Sequence, residues 1–360
     1  MAAVGYAGRS DAPERTARLL QWQAAACRQL GSPIYGEILR HAADDLLAGG
    51  PVADVLDGYL DDRPASGLAL RLLGGVHFVV LSGRAPELAS YYPSAGGSPE
   101  RRRGAPRTWS AVQQVLADHG AEVRSWLARP PQTNEVGRAA ALIGGLRHVA
   151  AETSMPIRLV EVGASAGLNL RADCFCVPGP AGRHGDTRSP VVLTGGWTGD
   201  APPDSHLEVV ERTGGDLVPI DPLTELGRLT LTAYIWPDQA ERLTRIRGAF
   251  VVAGQVPAEL RAESAADTLA RTTLVPGAWT VLWHSIFRQY LDEAQRAELA
   301  LKVAALGAAA TPRARFAYLY FEPSRAGGCR VTLTTWPGED RRVLGSAPAH
   351  GLPVHWHVAA

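Results

Sequence analysis

The segment that most constrains this chain runs Arg158-Leu-Val-Glu-Val-Gly-Ala-Ser-Ala-Gly-Leu-Asn-Leu170. An apolar, β-branched run from Ile157 to Val162 ends on a glycine, and three small residues separate it from a second glycine. This pattern predicts a buried strand, a tight turn and a helix that starts near Ala166. Glycine at 163 and 167 admits backbone dihedrals that other residues resist, and it lets a ligand approach the chain closely. Free N–H groups at a helix start offer donors to a carboxylate or hydroxyl. Glu161, near the strand end, can brace the turn or bind a cationic group.

A strand, a turn and a helix of this kind need parallel neighbours. The sequence offers them after residue 130: strands at Leu207 to Glu211, Thr280 to Trp283 and Phe316 to Phe321, with helices at Glu135 to Thr153, Pro237 to Arg247 and Asp292 to Leu306. Alternating strands and helices imply a mostly parallel sheet covered on both faces. Val331 to Thr335 and Pro353 to His357 are expected to form a late strand pair. Val177 to Asp204, dense in Gly, Pro and Asp, is expected to be an irregular insertion and a lid.

The first 129 residues have a different texture. Arg15 to Leu30 puts Leu19, Trp22, Ala26 and Leu30 on one helical face, and Ile34 to Leu47 does the same with Ile38, Leu39, Ala42 and Leu46. Gly49-Gly50-Pro51 reads as a stop. Leu68 to Leu81 is a more buried helix, Ser94 to Pro106 a loop, and Trp109 to Leu127 an amphipathic helix. The expected organisation is a helical N-terminal cap domain (1–129) followed by an α/β domain (130–360). A length of 360 residues accommodates both, at about 150 residues per domain.

Composition narrows the function classes. The 36 basic and 36 acidic residues cancel, which removes the electrostatic footprint expected of a nucleic-acid or anionic-membrane partner. The Arg101-Arg102-Arg103 run reads as a solvated loop. No apolar stretch approaches a membrane span, and no basic-then-apolar leader is evident, so a cytoplasmic enzyme is expected. Four cysteines make no metal-binding spacing, so no metal is expected. The partner expected is a small-molecule substrate; oligomeric state is not readable.

The turn allows three readings. It resembles motif I of S-adenosylmethionine-dependent class I methyltransferases, with Ser165 where the middle glycine usually stands. It also matches Gly-x-Ser-x-Gly, the nucleophile elbow of serine hydrolases, at Gly163-Ala164-Ser165-Ala166-Gly167. The third reading is a packing turn with no ligand. The segments Gln132-Thr-Asn-Glu-Val-Gly-Arg138, Glu161-Val-Gly-Ala-Ser-Ala-Gly-Leu-Asn169 and Tyr234-Ile-Trp-Pro-Asp-Gln239 resemble a bacterial family of unknown function, frequent in actinobacteria. Gly31-Ser-Pro-Ile-Tyr35 and Tyr91-Tyr-Pro-Ser94 extend that resemblance over nearly the whole chain. It implies a Rossmann-like, methyltransferase-type fold and no single activity.

On the methyltransferase resemblance, S-adenosylmethionine would be held by Glu161, Gly163, Ala164, Ser165, Gly167 and Asn169. Asp216, Asp221 or Glu263 would meet its ribose or adenine, though all three come later than the usual spacing. Asn134 and Glu135 would lie at its methionine end, with Gln132 beside them and Arg138 on the carboxylate. The bland reading makes Thr133 or Asn134 a helix cap. His284 and Ser285, after a late strand, face the ligand crevice of an open α/β sheet. His284, Glu322 or Tyr92 would assist as a base. The expected function is transfer from S-adenosylmethionine to a small molecule, with methyl as the group moved. Alternatives are aminocarboxypropyl chemistry such as closure to azetidine-2-carboxylate, a non-catalytic binding protein, and a hydrolase acting through Ser165.

Overall fold

The computed structural model describes residues 11–98, 105–179, 182–325 and 327–357. The chain forms two compact units, Met1–Gln132 with Thr232–Ala240, and Thr133–Leu231 with Glu241–Ala360. The Arg101–Arg103 run lies outside the described residues.

The first unit is helical: α1 (Ala12–Gln29), α2 (Pro33–Ala48), α3 (Pro51–Leu56), α4 (Leu68–Leu81), α5 (Pro86–Ala89) and α6 (Ala105–Trp126). α2 buries Ile38, Leu39, Ala42 and Leu46, as its periodicity predicts. α1 differs. It buries Thr16, Ala17, Leu20, Ala24 and Cys27, and leaves Trp22 69% exposed. The small residues Ala17 and Ala24 face the core, where a tryptophan every turn would hold neighbouring helices apart. Gly49 ends α2 with φ 72°, but Pro51 then opens α3 at its first turn instead of a loop.

The second unit is built on a nine-stranded, mostly parallel sheet. Its strands are β1 (Ile157–Val162), β2 (Cys176–Gly179), β3 (Gly182–Gly185), β4 (Trp197–Gly199), β5 (Val209–Asp216), β6 (Glu259–Ala262), β7 (Ala278–Ser285), β8 (Ala314–Pro323), β9 (Cys329–Trp336), β10 (Asp340–Ala347) and β11 (Val354–Trp356). Of these, β2 and β3 make a separate hairpin, and the main sheet has the order β4-β11-β10-β9-β8-β7-β1-β5-β6. Strands β6, β5, β1, β7 and β8 run parallel, and β8 to β11 form an antiparallel meander. The helices are α7 (Ala139–Glu152), α8 (Glu225–Ala233), α9 (Ala240–Gln255), α10 (Ala265–Arg271) and α11 (Glu293–Ala309). β7 is buried along almost its whole length, as a strand covered on both faces must be. Asp292 and Gln295 form a reciprocal capping box at the start of α11, worth about 1 kcal/mol.

Two expectations are corrected here, and the helix after the glycine turn is made specific. Val331–Thr335 and Pro353–His357 do not pair with each other, because β10 lies between β9 and β11. The insertion is not structureless: it carries the β2–β3 hairpin and β4, which pairs with β11 at the sheet edge. The element after the glycine turn is a 3-10 helix, Leu168–Cys174, not an α-helix; Arg171 leaves helical dihedrals (φ −107°) and the chain passes into β2.

Candidate functional site

The glycine turn closes β1 as the sequence predicts, and its geometry is unusual along its length. Gly163, Ser165 and Gly167 all take positive φ, at 67°, 54° and 60°. Gly163 is exposed, and a Cβ there would lie 2.4 Å from the Phe287 ring. Most turn N–H groups already have partners within the unit. Gly163 and Ala164 donate to the Gly215 carbonyl at 2.9 and 3.2 Å, and Gly167 donates to the Ala164 carbonyl. Ser165 N–H donates to Asp216 Oδ2 at 2.8 Å. The turn is therefore laced to β5, the parallel neighbour of β1.

Residues Asn134 to Arg138 brace the turn. Asn134 Oδ1 accepts from Leu168 N–H at 2.8 Å, and Asn169 Nδ2 donates to the Glu135 carbonyl at 3.3 Å. Glu135 is buried and ion-paired with Arg242 at 2.5 Å, and its Oε1 accepts from Gly137 N–H. Burial pushes its carboxyl up, but Arg242 and nearby His350 outweigh that and hold it at about 2. Arg138 donates to the Ala349 and Ser285 carbonyls and to Ser285 Oγ. The bland reading, Thr133 or Asn134 as cap of the helix that follows, is corrected: Glu135 caps that helix through Gly137 N–H, Asn134 serves Leu168 across the turn, and Arg138 is tied mainly to backbone. Gln132 falls in the helical unit.

Two acids remain at the strand ends. Glu161 is 3% exposed, its Oε2 has no hydrogen-bond partner, and burial pushes its carboxyl up to about 8. Asp216 ends β5; besides Ser165 N–H it accepts from Val218 N–H through Oδ1 at 3.0 Å. A carboxylate has about four lone-pair directions, so each oxygen keeps one for a ligand hydroxyl. Asp221 takes Leu223 N–H at 2.8 Å before α8, and Glu263 is held by Arg271 and Thr268. Of the three late acids, the fold brings Asp216 to the strand beside β1.

His284 and Glu322 meet, at 2.8 Å from Nδ1 to Oε1, and Tyr318 completes a chain by bonding His284 Nε2 at 2.7 Å. Glu322 Oε1 also accepts from the Phe287 and Arg288 amides. Burial works against its charge, yet the bond to His284 and these amides keep its carboxyl below the usual range. A charged carboxylate only accepts, so Nδ1 carries a proton, and in the neutral ring Nε2 is left to accept from the Tyr318 hydroxyl. His284 itself is fully buried. Sequence reasoning missed Tyr318; the signal was strand alternation, which puts Tyr318, Tyr320 and Glu322 on one face of β8 beside β7.

Tyr92 sits in the core of the helical unit, 0% exposed, in edge contact with the Tyr35 and His77 rings. The remaining sequence motifs gather there. Asp238 accepts from Ser32 Oγ at 2.5 Å and from Ile34 N–H at 3.2 Å. Ser94 Oγ bonds His77 Nε2 at 2.7 Å, and Ser94 N–H donates to the Pro237 carbonyl. The motifs noted in the sequence thus form two clusters, one in each unit. Among the described residues no group of His, Cys, Asp and Glu is arranged to hold a metal, and no helix is long and apolar enough to cross a membrane. The hydrolase elbow finds its Ser165 only 6% exposed, while His284 spends both ring nitrogens on Glu322 and Tyr318.

No curated protein and no solved structure matches the chain. A family profile covers residues 17–356, which takes in both motif clusters. The chain therefore belongs to the bacterial family described as "Uncharacterized protein conserved in bacteria (DUF2332)".

Proposed function

We propose that this chain is a transferase that uses S-adenosylmethionine on a small molecule, with the cofactor over the turn Gly163 to Gly167. The observation that carries the reading is topological. Taken in chain order, the five parallel strands lie third, second, first, fourth, fifth across the sheet. That order resembles the Rossmann-type arrangement, in which ligands bind beyond the carboxyl ends of the strands where the order reverses. The reversal here falls between β1 and β7, where the exposed Gly163 backbone and Glu161 end one strand and His284 and Ser285 end the other.

The residues present fit such a ligand. Glu161 offers a buried carboxyl oxygen without a hydrogen-bond partner, and an ammonium or sulfonium against it would expel its proton and pair with the carboxylate. Asp216, at the end of the adjacent strand, keeps acceptor capacity for ribose hydroxyls. Gly163 is exposed at the head of the turn, where its missing Cβ makes room for the Phe287 ring and its backbone is left open. When bound, the cofactor supplies an electrophilic carbon next to a sulfonium. The chain's own task is alignment of the nucleophile, and well-oriented reactions gain about 7–11 kcal/mol from positioning. For a protonated nucleophile, the Tyr318 oxygen takes the nucleophile's proton as its own proton passes to His284 Nε2, with Glu322 balancing the imidazolium.

Calorimetric titration of S-adenosylmethionine and S-adenosylhomocysteine tests the reading. Micromolar binding that Gly163→Trp and Glu161→Ala abolish is the expected result; absence of binding to the wild type overturns it. Product analysis then separates the group moved, since methylthioadenosine in place of S-adenosylhomocysteine marks aminocarboxypropyl chemistry.

A further inference from the structure

We propose that the α/β unit carries a second site, for a small amphipathic organic anion, in the open pocket between α11 and strands β8 to β10. The pocket has a volume of about 510 Å³, within the range of small-molecule sites. One part of its lining is apolar. Leu299 and Val303 of α11 are buried beneath it, Ala304 stands on the same helix, and Trp336 from β9 adds an aromatic ring. The other part is polar and carries Arg288, Arg341, Thr334 and Tyr318.

The charge of this lining is unbalanced. Glu339 is its one acid, against two guanidinium groups. Arg341 donates to the Tyr320 hydroxyl at 3.0 Å, and Arg288 lies 5.9 Å from the centre of the same ring. Among the described residues neither arginine has a carboxylate partner. A single carboxylate or sulfonate on the ligand neutralises the excess, and guanidinium groups bind such anions bidentately. The ring or hydrocarbon body of the ligand then covers the α11 and Trp336 surface. A neutral apolar molecule leaves the cations without a counter-ion, and a compact inorganic anion leaves the apolar wall wet. Both parts of the lining are used only by a molecule that has both characters.

Tyr318 gives the site a further property. Its ring lines the pocket, and its hydroxyl is hydrogen-bonded to His284 and, through it, to Glu322. The ligand is thereby placed beside a phenol whose proton has a buried acceptor. The inference needs no adenosyl cofactor; on the transferase reading, its ligand is the acceptor molecule.

The test is calorimetric titration of 2-naphthylacetate and its neutral amide into the full chain, with no S-adenosylmethionine present. The acid is expected to bind at least about ten-fold tighter than the amide, a preference that salt weakens. Replacing both Arg288→Ala and Arg341→Ala should erase that preference. Ala304→Trp, an exposed position on α11, should abolish binding of both compounds, and Ala300→Trp repeats the block if that variant misfolds. Equal affinity for acid and amide, binding unaffected by a folded blocking variant, or no binding by about 5 mM overturns the proposal. None of these outcomes depends on the glycine turn.

Discussion

Glu322 decides which ring nitrogen of His284 carries the proton. The carboxylate sits 2.8 Å from Nδ1 and is held there by two backbone amides as well. Nε2 is left as the acceptor for Tyr318. Three residues from two neighbouring strands thus share one proton arrangement, and the buried carboxylate sets its direction.

Replacing Glu322 by glutamine should destabilise the fold by about 1.5–3 kcal/mol, the usual worth of a hydrogen bond to a charged group. The pH dependence has a definite sign. The folded carboxyl is below its ordinary 4.5, so the unfolded chain binds the proton more readily. The stabilisation is complete above pH 4.5 and disappears as pH falls through the depressed value. Urea unfolding of wild type and Glu322→Gln across pH 3 to 7 checks this. A gap that stays constant over that range contradicts it.

Glu161 should behave in the opposite way. Its carboxyl is raised to about 8, so the folded chain holds the proton between pH 4.5 and 8. Wild-type stability should fall through that window, with a slope approaching about 1.4 kcal/mol per pH unit, relative to Glu161→Gln. Above pH 8 the difference should level off. Binding of a cation against Glu161 should also expel its proton. Titration of S-adenosylmethionine at pH 7 should therefore give heats that differ between phosphate and Tris buffers, and Glu161→Gln should remove the difference.

Gly163→Ala should cost stability twice over. Left-handed backbone at an alanine costs about 1–2 kcal/mol, and the new Cβ, 2.4 Å from Phe287, adds overpacking of about 1–3 kcal/mol. Phe287→Ala should remove the second part and leave the first. A double-mutant cycle by thermal unfolding reads the difference; additive effects would mean that the ring yields without cost.

Arg242→Met leaves Glu135 buried without its counter-ion, which should cost about 3–5 kcal/mol. Adding Glu135→Gln should recover a large part of that loss. Urea midpoints of the single and double variants measure it, and equal midpoints would show that Arg138 and Arg245 already suffice for the carboxylate.

The strand and turn around Gly163 were legible because they are local. A β-branched run and two glycines dictate their own backbone, and β1 lies at the residues the pattern predicts. The 3-10 helix after the turn was not legible, since Leu168-Asn169-Leu170 suits either helix; Arg171 and the nearby start of β2 decide it. The edge strand β6 was missed because Glu259-Leu-Arg-Ala262 is largely exposed and has no apolar face to betray it. Trp22 misled because a large apolar residue at helical spacing looks like core, while small residues let α1 pack closely.

The site divides along the same line. The sequence by itself determined the glycine turn and the amphipathic helices, because backbone preference and apolar periodicity act within a few residues. It also singled out His284 and Glu322 separately. Only the tertiary structure decided that they face each other with Tyr318, that Asp216 stands beside β1, and that Asn134 serves the turn as a cap. Those facts depend on strand order and register between residues 34 to 51 positions apart. A shift of one residue in register would turn each side chain to the other face of the sheet, and nothing in a local stretch of chain sets that register.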